Sequence, residues 1–166
     1  MFVKIKTKNH FSFALRLLST LFVIVLNLSA VAQQKSDSKI IITIEKEACF
    51  GSCPVYSAQI YTDGTVLYEG KDFVKVTGKK QHKISEEKVK ELVKAFEQIK
   101  YFSLKDKYES DENGMSVTDQ PTTTTTISLN GKQKKVVNYY CAPKELEELE
   151  NTIDRIAGLY EYISPA

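Results

Sequence analysis

Two thiols, a glycine, a proline and two aromatic rings fall within eight residues, Cys49-Phe50-Gly51-Ser52-Cys53-Pro54-Val55-Tyr56. Strand-like runs flank the stretch on both sides. Ile40, Ile41, Ile42 and Ile44 make the run Lys39 to Glu47 β-branched, as a strand buried on both faces in its first half would be. Val55 onwards alternates. Any fold must therefore close a tight corner between two adjacent strands at this point.

The residues ahead of that corner read as a secretory leader. Lys4, Lys6, Lys8 and Arg16 form a basic segment, Leu17 to Leu28 an apolar one, and Ala30-Val31-Ala32 a small-x-small cleavage site before Gln33. About a dozen apolar residues fall short of the ~20 that span a bilayer, so no stable membrane span is expected after cleavage. The expected organisation is residues 1–32 as signal peptide, 33–38 as a flexible lead-in and 39–163 as a single domain. The location that follows is secreted or periplasmic. The leader holds four of the 23 basic residues and none of the 21 acidic ones, so 19 face 21 in the mature chain. That balance argues against a nucleic-acid partner. Export also carries three cysteines into an oxidising compartment, where an odd number leaves one thiol over.

Asp63-Gly64, between Val55–Thr62 and Thr65–Gly70, signals a hairpin. A two-residue turn there sets Ile60 opposite Leu67 and Tyr61 opposite Val66. Asp72 to Thr77 reads as a fourth strand, and Gly78 to Lys83 as a loop or an exposed edge. Ser85 is a helix N-cap, followed by an apolar stripe of Val89, Leu92, Val93, Phe96 and Ile99. Lys105 to Gln120 is polar and reads as a long loop. Pro121 opens a threonine-rich strand, and Asn130-Gly131 turns it into Lys132–Tyr140. A strict two-residue turn would set Ile127 and Leu129 opposite lysines, so a bulge or a longer loop is expected. Pro143 then starts a helix with the stripe Leu146, Leu149, Ile153, Ile156 and Tyr160. The fold class is α+β: an antiparallel sheet of about six strands with two amphipathic helices, in the order ββββαββα.

Several of these residues together resemble a family of exported bacterial domains known as a domain of unknown function. They are Cys49-Phe50-Gly51-x-Cys53-Pro54-x-Tyr56, Asp63-Gly64 with Val66, Tyr68 and Gly70, the Ser85 helix start, Phe102 to Tyr108, Thr118-Asp119-x-Pro121, Pro143-x-x-Leu146 and Ile153-Asp154. The resemblance spans essentially the mature chain. It implies the boundaries and the export, and it transfers no catalytic residue. Cys141 lies outside the pattern.

Cys49 and Cys53 are expected to form a short bridge, with Gly51 easing the reversal and Pro54 starting the next strand. Pairing of either with Cys141 is the alternative. The same two thiols also carry the functional alternative, a thiol–disulfide redox or Cu(I)-handling site. Against it, Val55 to Tyr61 alternates as a strand, whereas thioredoxin-like sites place the second cysteine at a helix start. Asp111, Glu112, Asn113 and Asp119 are oxygen donors in one loop, without the spacing of a calcium motif. His82, beside Lys79, Lys80 and Lys83, reads as solvated, and without a nucleophile elbow or phosphate loop an enzyme is disfavoured. No cofactor is expected. Gln59, Tyr61 and Tyr68 share one face of the first hairpin under the two-residue turn. That face is either an exposed binding surface for a protein or glycan of the cell envelope, or the floor beneath the helices.

Overall fold

The computed structural model describes residues 38–163; the expected leader, 1–32, and nearly all of the expected lead-in lie outside them. Four strands come first: β1 (Ile40–Lys46), β2 (Val55–Tyr61), β3 (Thr65–Asp72) and β4 (Gly78–Lys83). Helix α1 (Glu86–Gln98) and a 3-10 turn at Tyr101–Ser103 lead to β5 (Lys107–Tyr108), β6 (Thr123–Leu129) and β7 (Lys132–Asn138). Helices α2 (Lys144–Ile156) and α3 (Tyr160–Ile163) end the domain. The fold is α+β. Its seven strands lie in the order β4-β3-β2-β1-β6-β7-β5, antiparallel except for the β5–β7 pair.

All the helices cover one face of this sheet. Ile42 and Ile44, Tyr56 and Ile60, Val66 and Tyr68, Thr125 and Ile127, and Val136 alternate along their strands and are fully buried. Val89, Leu92 and Phe96 of α1 and Leu146, Leu149, Ile153 and Ile156 of α2 close over them. Ser85 caps α1 as expected, its Oγ accepting from Lys88 N at 3.4 Å. The first strand is covered on one side only. Ile41, at the irregularity between Ile40 and Ile42, is half-buried against the edge of the core, and Ile40 is 41% exposed. Its isoleucines reflect strand propensity rather than burial on two faces.

The first hairpin turns through three residues, Thr62, Asp63 and Gly64, not two. Gly64 N donates to the Tyr61 carbonyl at 3.0 Å, and Gly64 then takes the left-handed conformation at φ 79°. This is a type I turn closed by a glycine bulge. A Cβ on Gly64 would lie 2.1 Å from the carbonyl oxygen of Ile84, whose own N–H donates to Gly64 O at 2.9 Å. The observed pairs are Ile60 with Val66, Gln59 with Leu67, and Ala58 with Tyr68. A slip of one residue moves every side chain of one strand to the other face.

The fourth strand is also displaced. β3 runs on to Asp72, residues 73–77 make the reversal, and β4 is the basic segment Gly78–Lys83. Val74 and Val76 gave the reversal its strand-like look, but they serve the turn. Val74 packs on the core and the Val76 carbonyl accepts from Tyr68 Oη at 3.1 Å. Gly70 permits that approach, since a Cβ there would lie 2.1 Å from Val76 O.

Three further expectations are corrected on the other half of the sheet. The Lys105–Gln120 segment contains a strand, β5, pairing in parallel with Val137 and Asn138. The second hairpin has no bulge: Leu129 pairs with Lys132 and Ile127 with Lys134 across Asn130-Gly131, both of positive φ. The lysine opposite buried Ile127 is tolerated because its stem lies on the core and its ammonium pairs with Asp106. Finally, the last stripe breaks at Gly158 (φ 72°), so Leu159 in the turn and Ile163 of α3 are buried while Tyr160 is 43% exposed.

Candidate functional site

Cys49 and Cys53 are joined by a disulfide, with their Cα atoms 5.8 Å apart. The loop is braced from both sides: Glu47 N donates to Thr122 O at 2.9 Å and Phe50 N to Asp119 O at 3.3 Å. Gly51 does not need glycine's conformational freedom. It is absent from the left-handed region, and a Cβ there would meet Cys49 Sγ at an ordinary 3.7 Å. Pro54 leads straight into β2, so neither sulfur caps a helix. Phe50, between the two cysteines, is 88% exposed. Closing so short a loop contributes about 2 kcal/mol. Reduction, or the double change C49S/C53S, is therefore expected to lower the unfolding free energy by about that amount with an unchanged far-UV CD spectrum. Urea titrations with and without reductant measure it.

Tyr56, the last residue of the cysteine stretch, points under α2. On the helical face its row across the sheet reads Gly70, Tyr56, Lys46, Thr123, Asn138. Two acids of α2, Glu150 and Asp154, sit over this row one helical turn apart. Asp154 is 1% exposed; its Oδ1 accepts from Tyr56 Oη at 2.5 Å and its Oδ2 from Lys46 Nζ at 2.8 Å. Lys46 Nζ also lies 5.7 Å from the centre of the Tyr56 ring. Burial, then the neighbouring Asp154 carboxylate, drives the Tyr56 phenol far above its ordinary range. Glu150 receives both its hydrogen bonds from Asn138 Nδ2, at 3.0 and 3.2 Å. Burial pushes its carboxyl up to about 7, against the opposing effects of Asn138 and Lys46. One lysine thus serves two buried carboxylates. Sequence reasoning missed this cluster, although Leu149, Glu150, Ile153 and Asp154 together make a stripe too wide for the acids to escape it.

The proposed aromatic face is divided by the register change. Tyr68 is 1% exposed on the helical face, its ring 5.9 Å from that of Tyr56 and 4.9 Å from that of Tyr162. Gln59 and Tyr61 do lie on the open face, where Tyr61 Oη donates to Gln59 Oε1 at 3.3 Å. Gln59 belongs to one of two rows that cross the sheet on this face. One is Lys79, Glu69, Ser57, Glu45, Thr124 and Val137, and the next is Gln81, Leu67, Gln59, Thr43, Thr126 and Lys135. A hollow of about 340 Å³ lies over Leu67, lined by Ser57, Gln59, Glu69, Lys79 and Gln81.

The other candidates do not converge. Cys141 is an exposed free thiol in the left-handed region, φ 59°. Asp111 Oδ1 accepts from Asn113 N at 2.9 Å and Met115 N at 2.8 Å, so this carboxylate fastens its own turn. Among the described residues no three His, Cys, Asp or Glu side chains are grouped to hold a metal ion. His82 is not solvated but half-buried. Its Nε2 lies 2.7 Å from Ala157 O, and its Nδ1 3.3 Å from Tyr162 Oη. Donation from Nε2 to the carbonyl leaves Nδ1 to accept from the tyrosine. No helix among the described residues is long and apolar enough to cross a membrane. Residues 40–157 match the profile of a family described as a domain of unknown function, DUF6438. No curated protein matches the chain.

Proposed function

This chain belongs to the DUF6438 family, which carries no assigned activity, and we propose that it is an exported, non-catalytic binding module of the cell envelope. The supporting observation is that the two rows on the open sheet face hold hydroxyls, amides and charges of both signs within reach of solvent, while the buried acids Glu150 and Asp154 and the Tyr56 phenol are enclosed beneath α2. Chemistry on a substrate needs perturbed groups within its reach. Here the two shifted groups under α2, Tyr56 and Glu150, are buried and already hydrogen-bonded, Tyr56 to Asp154 and Glu150 to Asn138. The leader-like residues 1–32 support export, and a disulfide accords with an oxidising compartment. The occupant of the open face is a protein or a glycan of the envelope.

Photo-crosslinking side chains introduced at Gln59 and Thr126, on the open face, are compared in the native host with the same groups at exposed Glu91 and Glu148 of α1 and α2. Adducts from the sheet positions alone are expected. Adducts from the helix positions alone, or saturable turnover of a small substrate by the purified chain, would overturn the reading. Cleavage before Gln33 is read from the intact mass of the exported protein.

The alternative, a thiol–disulfide redox or Cu(I) role for Cys49 and Cys53, has one observation in its favour: the bond joins two half-buried sulfurs on a surface loop. A bond that resists glutathione-buffered reduction, with no copper retained by the reduced protein, ends that alternative.

A further inference from the structure

The strand order leaves β4 at one end of the sheet. Its backbone pattern follows from one bond. Ile84 N donates to Gly64 O at 2.9 Å, so that pair is hydrogen-bonded. Antiparallel ladders alternate, so Gly78, Lys80 and His82 also bond to β3. Lys79, Gln81 and Lys83 then direct their N–H and C=O groups outward. None of these outward groups bonds to another element among the described residues. Five of the six β4 residues are exposed, His82 being the exception.

We propose that this edge receives an acidic, extended peptide segment of a partner protein, which adds to the sheet as an eighth strand beside β4. The proposal rests on the reading of the chain as a binding module and names its partner class.

Charge selects the occupant. β4 carries Lys79 and Lys83 on the open face and Lys80 on the helical face; Glu69 lies across from Lys79, and the one ion pair these lysines make among the described residues is Lys83 with Asp63 at 3.3 Å. Lysines on an edge repel basic strands and lose hydration against uncharged ones, which protects against chance pairing. An acidic strand is the one class they admit. Carboxylates opposite Lys79 and Lys83 would alternate with a residue opposite Gln81, beside the hollow over Leu67. Main-chain bonds to three outward residues would supply affinity, and the lysines the sign of the partner.

The test uses the chain from Gln33 and an end-blocked peptide of alternating glutamate and valine, about seven residues long to match β4. A control peptide replaces each glutamate with glutamine. Binding of the glutamate peptide alone is expected, with slowed amide exchange at Lys79, Gln81 and Lys83. Gln81→Pro removes an outward N–H and no bond to β3, so it should keep the fold and weaken binding by about tenfold or more. The pair Lys79→Glu and Lys80→Glu should abolish binding, and it decides the matter where Gln81→Pro fails to fold. Absence of binding, equal binding of the glutamine peptide, or binding without edge protection overturns the proposal. Displacement of the peptide by a sulfated oligosaccharide that protects no edge amide would assign the lysines to an anionic glycan and overturn it too. Cross-links from Gln59 and Thr126 together with no peptide binding would leave the open-face reading intact and remove only the edge.

Discussion

Replacing Asp154 with alanine is expected to cost about 3–5 kcal/mol of folding free energy, the range found when one partner of a buried ion pair is removed. The carboxylate is 1% exposed and accepts from both Tyr56 Oη and Lys46 Nζ. Its removal leaves a phenol without its acceptor and the Lys46 side chain, only 21% exposed, without its ion-pair partner. Asp154→Asn keeps an acceptor for Tyr56 and loses the charge, so its cost should fall between that of Asp154→Ala and zero. Tyr56→Phe removes only the hydroxyl bond and should cost about 1–2 kcal/mol. The chain has no tryptophan, so urea unfolding is followed by far-UV CD. Non-additivity between Tyr56→Phe and Asp154→Asn would measure the coupling directly. A loss below about 1 kcal/mol for Asp154→Ala would mean that the helix is held by its apolar stripe alone.

The same contact explains why the cysteine corner is rigid at one end. β1 ends in Lys46 and β2 begins at Val55, and the disulfide loop joins them. Asp154 pins the first residue pair of that ladder, Lys46 with Tyr56, from above. The loop therefore emerges from a fixed base, and exposed Phe50 is carried on it.

Much of this scaffold was legible in the residues. Ser85 with its acidic first turn marks α1, Asp63-Gly64 and Asn130-Gly131 mark both hairpins, and the cysteine spacing marks the short bridge. What escaped was decided by tertiary contacts. Whether Asp63-Gly64 makes a two- or three-residue turn depends on Ile84 docking against Gly64, a contact some twenty residues away. That one residue of register sent Tyr68 inward and separated it from Gln59 and Tyr61. β4 lacks any apolar periodicity and is a strand because β3 offers it a partner. Lys134 looked misplaced opposite Ile127 until Asp106, from a segment read as loop, supplied its counter-charge. The α2 acids were hidden by the assumption that charged residues on an amphipathic helix face water.

Glu150 should make the protein less stable as pH rises, the reverse of an ordinary paired carboxylate. Its carboxyl is held at about 7 in the fold against 4.5 for the unperturbed group, with burial the main cause. The folded state therefore binds this proton more tightly than the unfolded chain does. The stabilisation is complete below about pH 4.5 and is lost as pH climbs through 7. A difference of this size corresponds to about 3 kcal/mol across that window. Glu147 and Asp154 on the same helix raise the carboxyl further, while Asn138 of β7 and Lys46 of β1 oppose them. Lys46 cannot neutralise both acids, because Asp154 already holds it. Glu150→Gln keeps an oxygen to accept from Asn138 Nδ2 and removes the titration. The variant should match the wild type near pH 4.5 and exceed it by about 3 kcal/mol at pH 8. Asp63, held well below the usual carboxylate range by its hydrogen bonds to Thr65, titrates only in strong acid and affects both proteins alike. The difference between their urea midpoints as a function of pH thus isolates Glu150. A difference that stayed flat from pH 4.5 to 8 would show that water reaches this carboxyl beneath α2.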